Sequence, residues 1–86
     1  MRFSDIKFEV IDHDYESSCT SSCGFVYLPV IPSKQELVDA IASVDWYASH
    51  INCDKLKLIG PEGKLPGSMR LVWADSSKIA YTIKPV

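Results

Sequence analysis

The thiols and imidazoles of this chain, its best candidates for a zinc ligand or an activated nucleophile, are three cysteines and two histidines. Cys19 and Cys23 are spaced C-x-x-x-C, His13 precedes Cys19 by six positions, and His50 with Cys53 reads H-x-x-C. Thiolates and imidazoles at short spacings can converge on a tetrahedral zinc ion, which makes Cys19, Cys23, His50 and Cys53 the candidate ligands of a metal-stabilised small domain. Against this, structural zinc sites usually show two tight pairs, typically C-x-x-C, and neither pair here has that spacing. An odd cysteine count in a cytoplasmic chain is met more simply by thiols, with a disulfide from Cys19 to Cys23, or from their loop to Cys53, as a third reading. The expectation is therefore a protein without a cofactor.

Catalysis by cysteine requires a lowered thiol pKa, supplied by a cation, an imidazolium or a helix N-terminus. Cys19 and Cys23 follow Asp12, Asp14 and Glu16 instead, and those charges favour the neutral thiol. His13 between two aspartates reads as a solvated side chain, because no second group converges on it. The stretch GPEGKLPGS has glycines and a lysine but lacks the G-K-[ST] ending of a phosphate loop. These residues predict a protein that is not an enzyme.

Binding chemistry centres on Trp46. Placed on a helical wheel, Leu37, Ile41, Val44, Ala48 and Ile51 make one apolar stripe flanked by Ala40 and Tyr47, whereas Trp46 falls on the far side beside Gln35, Asp39 and His50. Either a loop such as the Cys19 to Cys23 segment folds over the tryptophan, or Trp46 is an exposed anchor with a charged rim that includes Asp39, Asp45 and His50. The second reading gives a contact surface of Asp39, Ser43, Trp46 and His50, extended by the acidic loop residues Asp12, Asp14 and Glu16.

A second surface comes from the basic residues of the C-terminal half. Strand alternation puts Lys55, Lys57, Arg70, Lys78 and Lys84 opposite the apolar row, where they would form a plate able to meet a phosphate backbone. Sheets that read RNA also present aromatics for base stacking, and the pattern turns Trp73 and Tyr81 inward. Lysine on strands has a structural use as well, since it discourages edge-to-edge association.

The elements that must position these residues follow from periodicity. Ile6, Phe8 and Val10 alternate with Lys7 and Glu9 as in a half-buried strand. Asp12 to Gly24 shows neither period and predicts a loop. Phe25 to Ile31 is rich in strand formers but contains Pro29, which places it at a sheet edge or a bulge. Ser33 and Glu36 form the S-x-x-E capping box, opening a helix expected from Lys34 to Ser49. Leu56 and Leu58 alternate with Lys55 and Lys57, and Gly60 to Ser68 is a Gly-, Pro- and Ser-rich loop. Met69 to Ala74 and Lys78 to Lys84 fit a hairpin in which Trp73 faces Ile79, Leu71 faces Tyr81, Met69 faces Ile83, Arg70 faces Thr82 and Ala74 faces Lys78. The expected architecture is one α+β domain over residues 1–86, β-β-α-β-β-β, with a helix packed on a mainly antiparallel sheet.

Eighty-six residues, 47% apolar and 23% charged, make one modest globular core. No run approaches the length of a membrane span and MRFSDIKFEV lacks the apolar centre of a signal peptide, so the expected location is cytoplasmic. The net charge of −2 is unevenly spread: residues 1–45 carry eight acids against Arg2, Lys7 and Lys34, giving −5, and residues 46–86 carry three acids against six bases, giving +3. Such asymmetry favours steering of a charged partner. The leading expectation is a small protein-binding module that inhibits or adapts another macromolecule, in the manner of an immunity protein, an antitoxin or a phage-encoded inhibitor of host defence. A basic, nucleic-acid-binding protein suits its acidic half. Direct nucleic-acid binding through the basic plate ranks second, and a metal-stabilised domain third.

Overall fold

The computed structural model describes residues 5–13 and 19–86. Its elements are β1 (Ile6–His13), β2 (Thr20–Leu28), α1 (Lys34–Ala42), β3 (Leu56–Ile59), β4 (Met69–Trp73) and β5 (Ile79–Pro85), with short 3-10 turns at Trp46–His50 and Cys53–Lys55. The strands form one sheet in the order β2-β1-β5-β4-β3, with every neighbouring pair antiparallel. Because α1 joins β2 at one edge to β3 at the other, the connection has to traverse the sheet, and its apolar stripe covers one face. This is the expected α+β architecture.

Helix initiation follows the sequence closely. The Ser33 hydroxyl accepts from the Glu36 N–H at 3.1 Å and the Glu36 carboxylate accepts from the Ser33 N–H at 3.1 Å, the reciprocal bonds of a capping box. Leu37, Val38 and Ile41 then face Phe8, Val10, Leu71 and Ile83 of the sheet as one buried cluster, except that Val38 keeps 6% exposure. Each fully buried side chain of this size contributes about 1.5–3 kcal/mol through removal from water.

Two expectations about element bounds are corrected. The helix ends at Ala42 rather than Ser49, because Asp45 adopts an extended conformation (φ −135°, ψ 107°) and caps a separate 3-10 turn. The segment from Asp12 to Gly24 is not all loop, since β1 runs on to His13 and β2 begins at Thr20, paired His13 to Thr20. Thr20, Ser21 and Ser22, on alternating sides of β2, are all exposed and leave no alternation to read. Gly24 (φ 139°) sits at the irregularity where Val10 pairs with Gly24 but Ile11 pairs with Ser22, so Cys23 is the extra residue of a bulge.

The C-terminal hairpin keeps the expected register at Met69–Ile83, Arg70–Thr82 and Leu71–Tyr81, then shifts so that Val72, not Trp73, pairs with Ile79. Ala80 is the extra residue, and it is small enough to be 2% exposed at the bulge. Trp73 donates its N–H to the Lys78 carbonyl at 2.8 Å, which moves the expected Ala74–Lys78 pair into the turn.

Candidate functional site

Asp45 determines where the tryptophan goes. One carboxylate oxygen, Oδ1, accepts from the Tyr47 N–H at 3.1 Å and so caps the 3-10 turn. The other, Oδ2, accepts from the Tyr81 hydroxyl at 2.7 Å and from the Cys23 thiol at 3.8 Å. A side chain on the connection is thereby fixed to the centre of the sheet, and the backbone after it turns outward.

Trp46, the first residue of the turn, is 74% exposed, and Tyr47 beside it is 57% exposed. His50 packs on Trp46 edge-to-face, with ring centroids 4.3 Å apart and planes at 67°. The tryptophan thus projects into solvent with one neighbouring ring to hold its orientation, which decides between the two readings of this residue in favour of exposure. Its environment differs from the expected one in a specific way. Asp45 does not belong to a charged rim, because its carboxylate faces the sheet. Tyr47 does belong to the surface patch, although the helical wheel placed it beside the core stripe.

The remaining expected contact residues divide. Asp39 is exposed on α1 and accepts from the Gln35 amide at 2.9 Å, and Ser43 is the C-cap, with its hydroxyl donating to the Ala40 carbonyl at 2.5 Å. Asp12 pairs in register with Tyr81, and its charge raises the pKa values of both Cys23 and Tyr81. It belongs to the polar node under the connection rather than to an acidic loop surface. Asp14 and Glu16 lie outside the described residues.

Within that node, burial first and then the charges of Asp45 and Asp12 push the Cys23 thiol up to about 11. The same causes, burial followed by the hydrogen bond to Asp45, raise the Tyr81 phenol above its ordinary range. Cys23 is therefore a protonated hydrogen-bond donor at neutral pH and a poor nucleophile.

All three cysteines remain thiols. Among the described residues no group of three or more His, Cys, Asp and Glu side chains could hold a metal ion, so Cys19, Cys23, His50 and Cys53 are not brought together. His50 packs on Trp46, Cys23 faces Asp45, and Cys53 opens the second 3-10 turn. His13, expected as a solvated side chain, is instead half-buried and engaged, its Nε2 lying 2.7 Å from the Thr82 hydroxyl on the neighbouring strand β5.

The basic plate is only partly assembled. Lys57, Arg70 and Lys84 occupy one side of their strands, but Lys55 lies in the second 3-10 turn and Lys78 precedes β5, so neither takes the expected strand position. Arg70 pairs with Glu62 at 3.2 Å and Lys84 with Glu9 at 3.6 Å. The second pair joins the acidic and basic halves of the chain, because β1 and β5 are neighbours. Sequence polarity is thus partly cancelled on this face. The same face carries Phe25 and Tyr27, with the Lys7 ammonium 4.5 Å from the Phe25 ring centroid.

No helix among the described residues is long and apolar enough to cross a membrane. Comparison with protein-family models, curated proteins and solved structures gives no match, and the site is interpreted from its own geometry.

Proposed function

We propose that this chain is a small cytoplasmic protein-binding module that inhibits or adapts another macromolecule, docking through Trp46, Tyr47 and His50. The observation that carries this reading is the 74% exposure of Trp46 on a turn whose base is tied into the sheet. Keeping a large aromatic in water forgoes its burial free energy, whereas a rigid aromatic loses little conformational entropy when a partner covers it. Asp39 on α1 gives the neighbouring helix an exposed negative charge suited to a basic partner, including a nucleic-acid-binding protein of the kind an immunity protein, antitoxin or anti-defence inhibitor would target. The packing of His50 on Trp46 pre-orients the anchor.

The test is capture of proteins from native host lysate on the immobilised chain, run in parallel with Trp46→Ala and Tyr47→Ala. Expected is a discrete basic partner whose retention falls with added salt and is lost in Trp46→Ala, while the melting temperature stays at the parent value. A Trp46→Ala protein that is equally stable and retains every partner would overturn the proposal. Direct nucleic-acid binding remains the second function to test, but the ion pairs of Arg70 and Lys84 give it less support than the exposed tryptophan gives the first.

A further inference from the structure

The two edges of the sheet are built differently. β3 is four residues long and carries Lys57, features that keep an edge from pairing with another chain. β2 is nine residues long and contains no charged side chain, and no described strand pairs with its outer side. Its regular stretch lies between the bulge that ends at Gly24 and Pro29, which has no N–H to donate. That leaves residues 24–28, whose midpoint is Val26.

We infer that two copies of this chain associate through antiparallel β2–β2 pairing about a two-fold axis at Val26, joining their sheets. An isologous contact must be complementary to itself, and this register is. Phe25 of each subunit faces Tyr27 of the partner subunit. These rings share the outer face and are 48% and 51% exposed in the single chain, whereas Val26 and Leu28, which alternate with them, are buried on the core side. Pairing would bring four aromatic rings into one band and give each β2 a strand partner on the side where no described strand pairs with it. Cross-strand aromatic pairs of this kind stabilise antiparallel sheets. The inference is independent of Trp46, which lies on the connection that follows α1.

Sedimentation equilibrium of the intact chain, from micromolar to about 1 mM, tests it, since weaker association than that has no structural weight. Expected is a rise from the 9.6 kDa chain mass to twice that value. Tyr27→Glu should weaken the dimer by about tenfold or more, through loss of two symmetric aromatic pairs. The double variant Phe25→Lys with Tyr27→Glu should recover dimerisation, because each introduced lysine then faces an introduced glutamate of the partner subunit. Both substitutions suit the subunit itself, where Tyr27 is opposite Lys7 and Phe25 is opposite Glu9, and melting curves verify folding. A chain that stays monomeric throughout leaves the edge to a foreign strand and overturns the inference. So does a folded Tyr27→Glu variant that dimerises as the parent does, or a double variant no tighter than the single one.

Discussion

The Tyr81 hydroxyl donates to Oδ2 of Asp45 at 2.7 Å, linking the middle of β5 to the turn that follows α1. Tyr81 is 1% exposed, so this bond satisfies a phenol that would otherwise be buried without a partner. It also holds Asp45 extended, which ends the helix and starts the turn bearing Trp46. One hydrogen bond thus connects core packing to the orientation of the candidate anchor.

Tyr81→Phe should therefore do more than remove a hydroxyl. It leaves Asp45 Oδ2 with the Cys23 thiol alone and should cost about 1–2 kcal/mol in urea unfolding. Asp45→Ala should cost more, about 2–3 kcal/mol, because it strands the Tyr81 hydroxyl and also removes the cap of the 3-10 turn. If Asp45→Ala unfolds at the same urea concentration as the parent, the node does not hold the connection.

Alkaline pH should weaken the fold through the same node. Cys23 and Tyr81 become negatively charged on losing a proton, and burial together with Asp45 opposes that charge in the folded chain. The unfolded chain thus releases these protons first. The Cys23 contribution is complete below its ordinary value of 9.0 and is lost as pH rises from there to about 11. Stability should fall across that window with a slope of up to about 1.4 kcal/mol per pH unit for each such group. Urea midpoints between pH 8 and 11 would show this, and Cys23→Ala should flatten the decline. A parent curve that is level through the window would contradict the assignment.

Ser33→Ala should destabilise the chain by about 1 kcal/mol, since it removes the acceptor for the Glu36 N–H. Glu36→Gln should be nearly neutral, because an amide oxygen still accepts from the Ser33 N–H. The pair of melts separates capping from charge. Equal losses in both variants would assign the effect to the Glu36 carboxylate instead.

The capping box, the α+β class and three of the hairpin pairs were legible because each depends on residues close in sequence or on strict alternation. The helix end was not, because the wheel carried a period of 3.6 through Asp45. Its capping propensity marks a possible new start, but only the contact with Tyr81, 36 residues away, makes that start prevail. Likewise the shift between Leu71 and Val72 depends on where a small residue, Ala80, can be accommodated in the sheet. Strand order was illegible for the same reason, since the chain reaches opposite edges through one connection. For the candidate site, Trp46 and His50 were readable as an odd pair among polar residues, whereas Tyr47 joined them only once the helix had ended. The polar node of Asp12, Cys23, Asp45 and Tyr81 depends on four separate parts of the chain meeting, β1, β2, the turn after α1 and β5, which no local pattern announces.

Trp46→Ala separates anchoring from folding. At 74% exposure the side chain contributes little to the core, so truncation should change unfolding free energy by no more than about 0.5 kcal/mol. A buried aromatic would cost about 3–5 kcal/mol, a difference that urea unfolding resolves easily. The variant should also lose most of the acrylamide-quenchable emission, because the other tryptophan, Trp73, is partly buried against the core. A partner captured by the parent should bind the variant about 2 kcal/mol more weakly, or roughly thirtyfold, as expected for an aromatic at the centre of an interface. His50→Ala, which removes the ring packed on Trp46, should have a smaller effect in the same direction, since the anchor persists but is no longer held in one orientation. If both variants bind as the parent does and remain folded, this patch is not the docking surface.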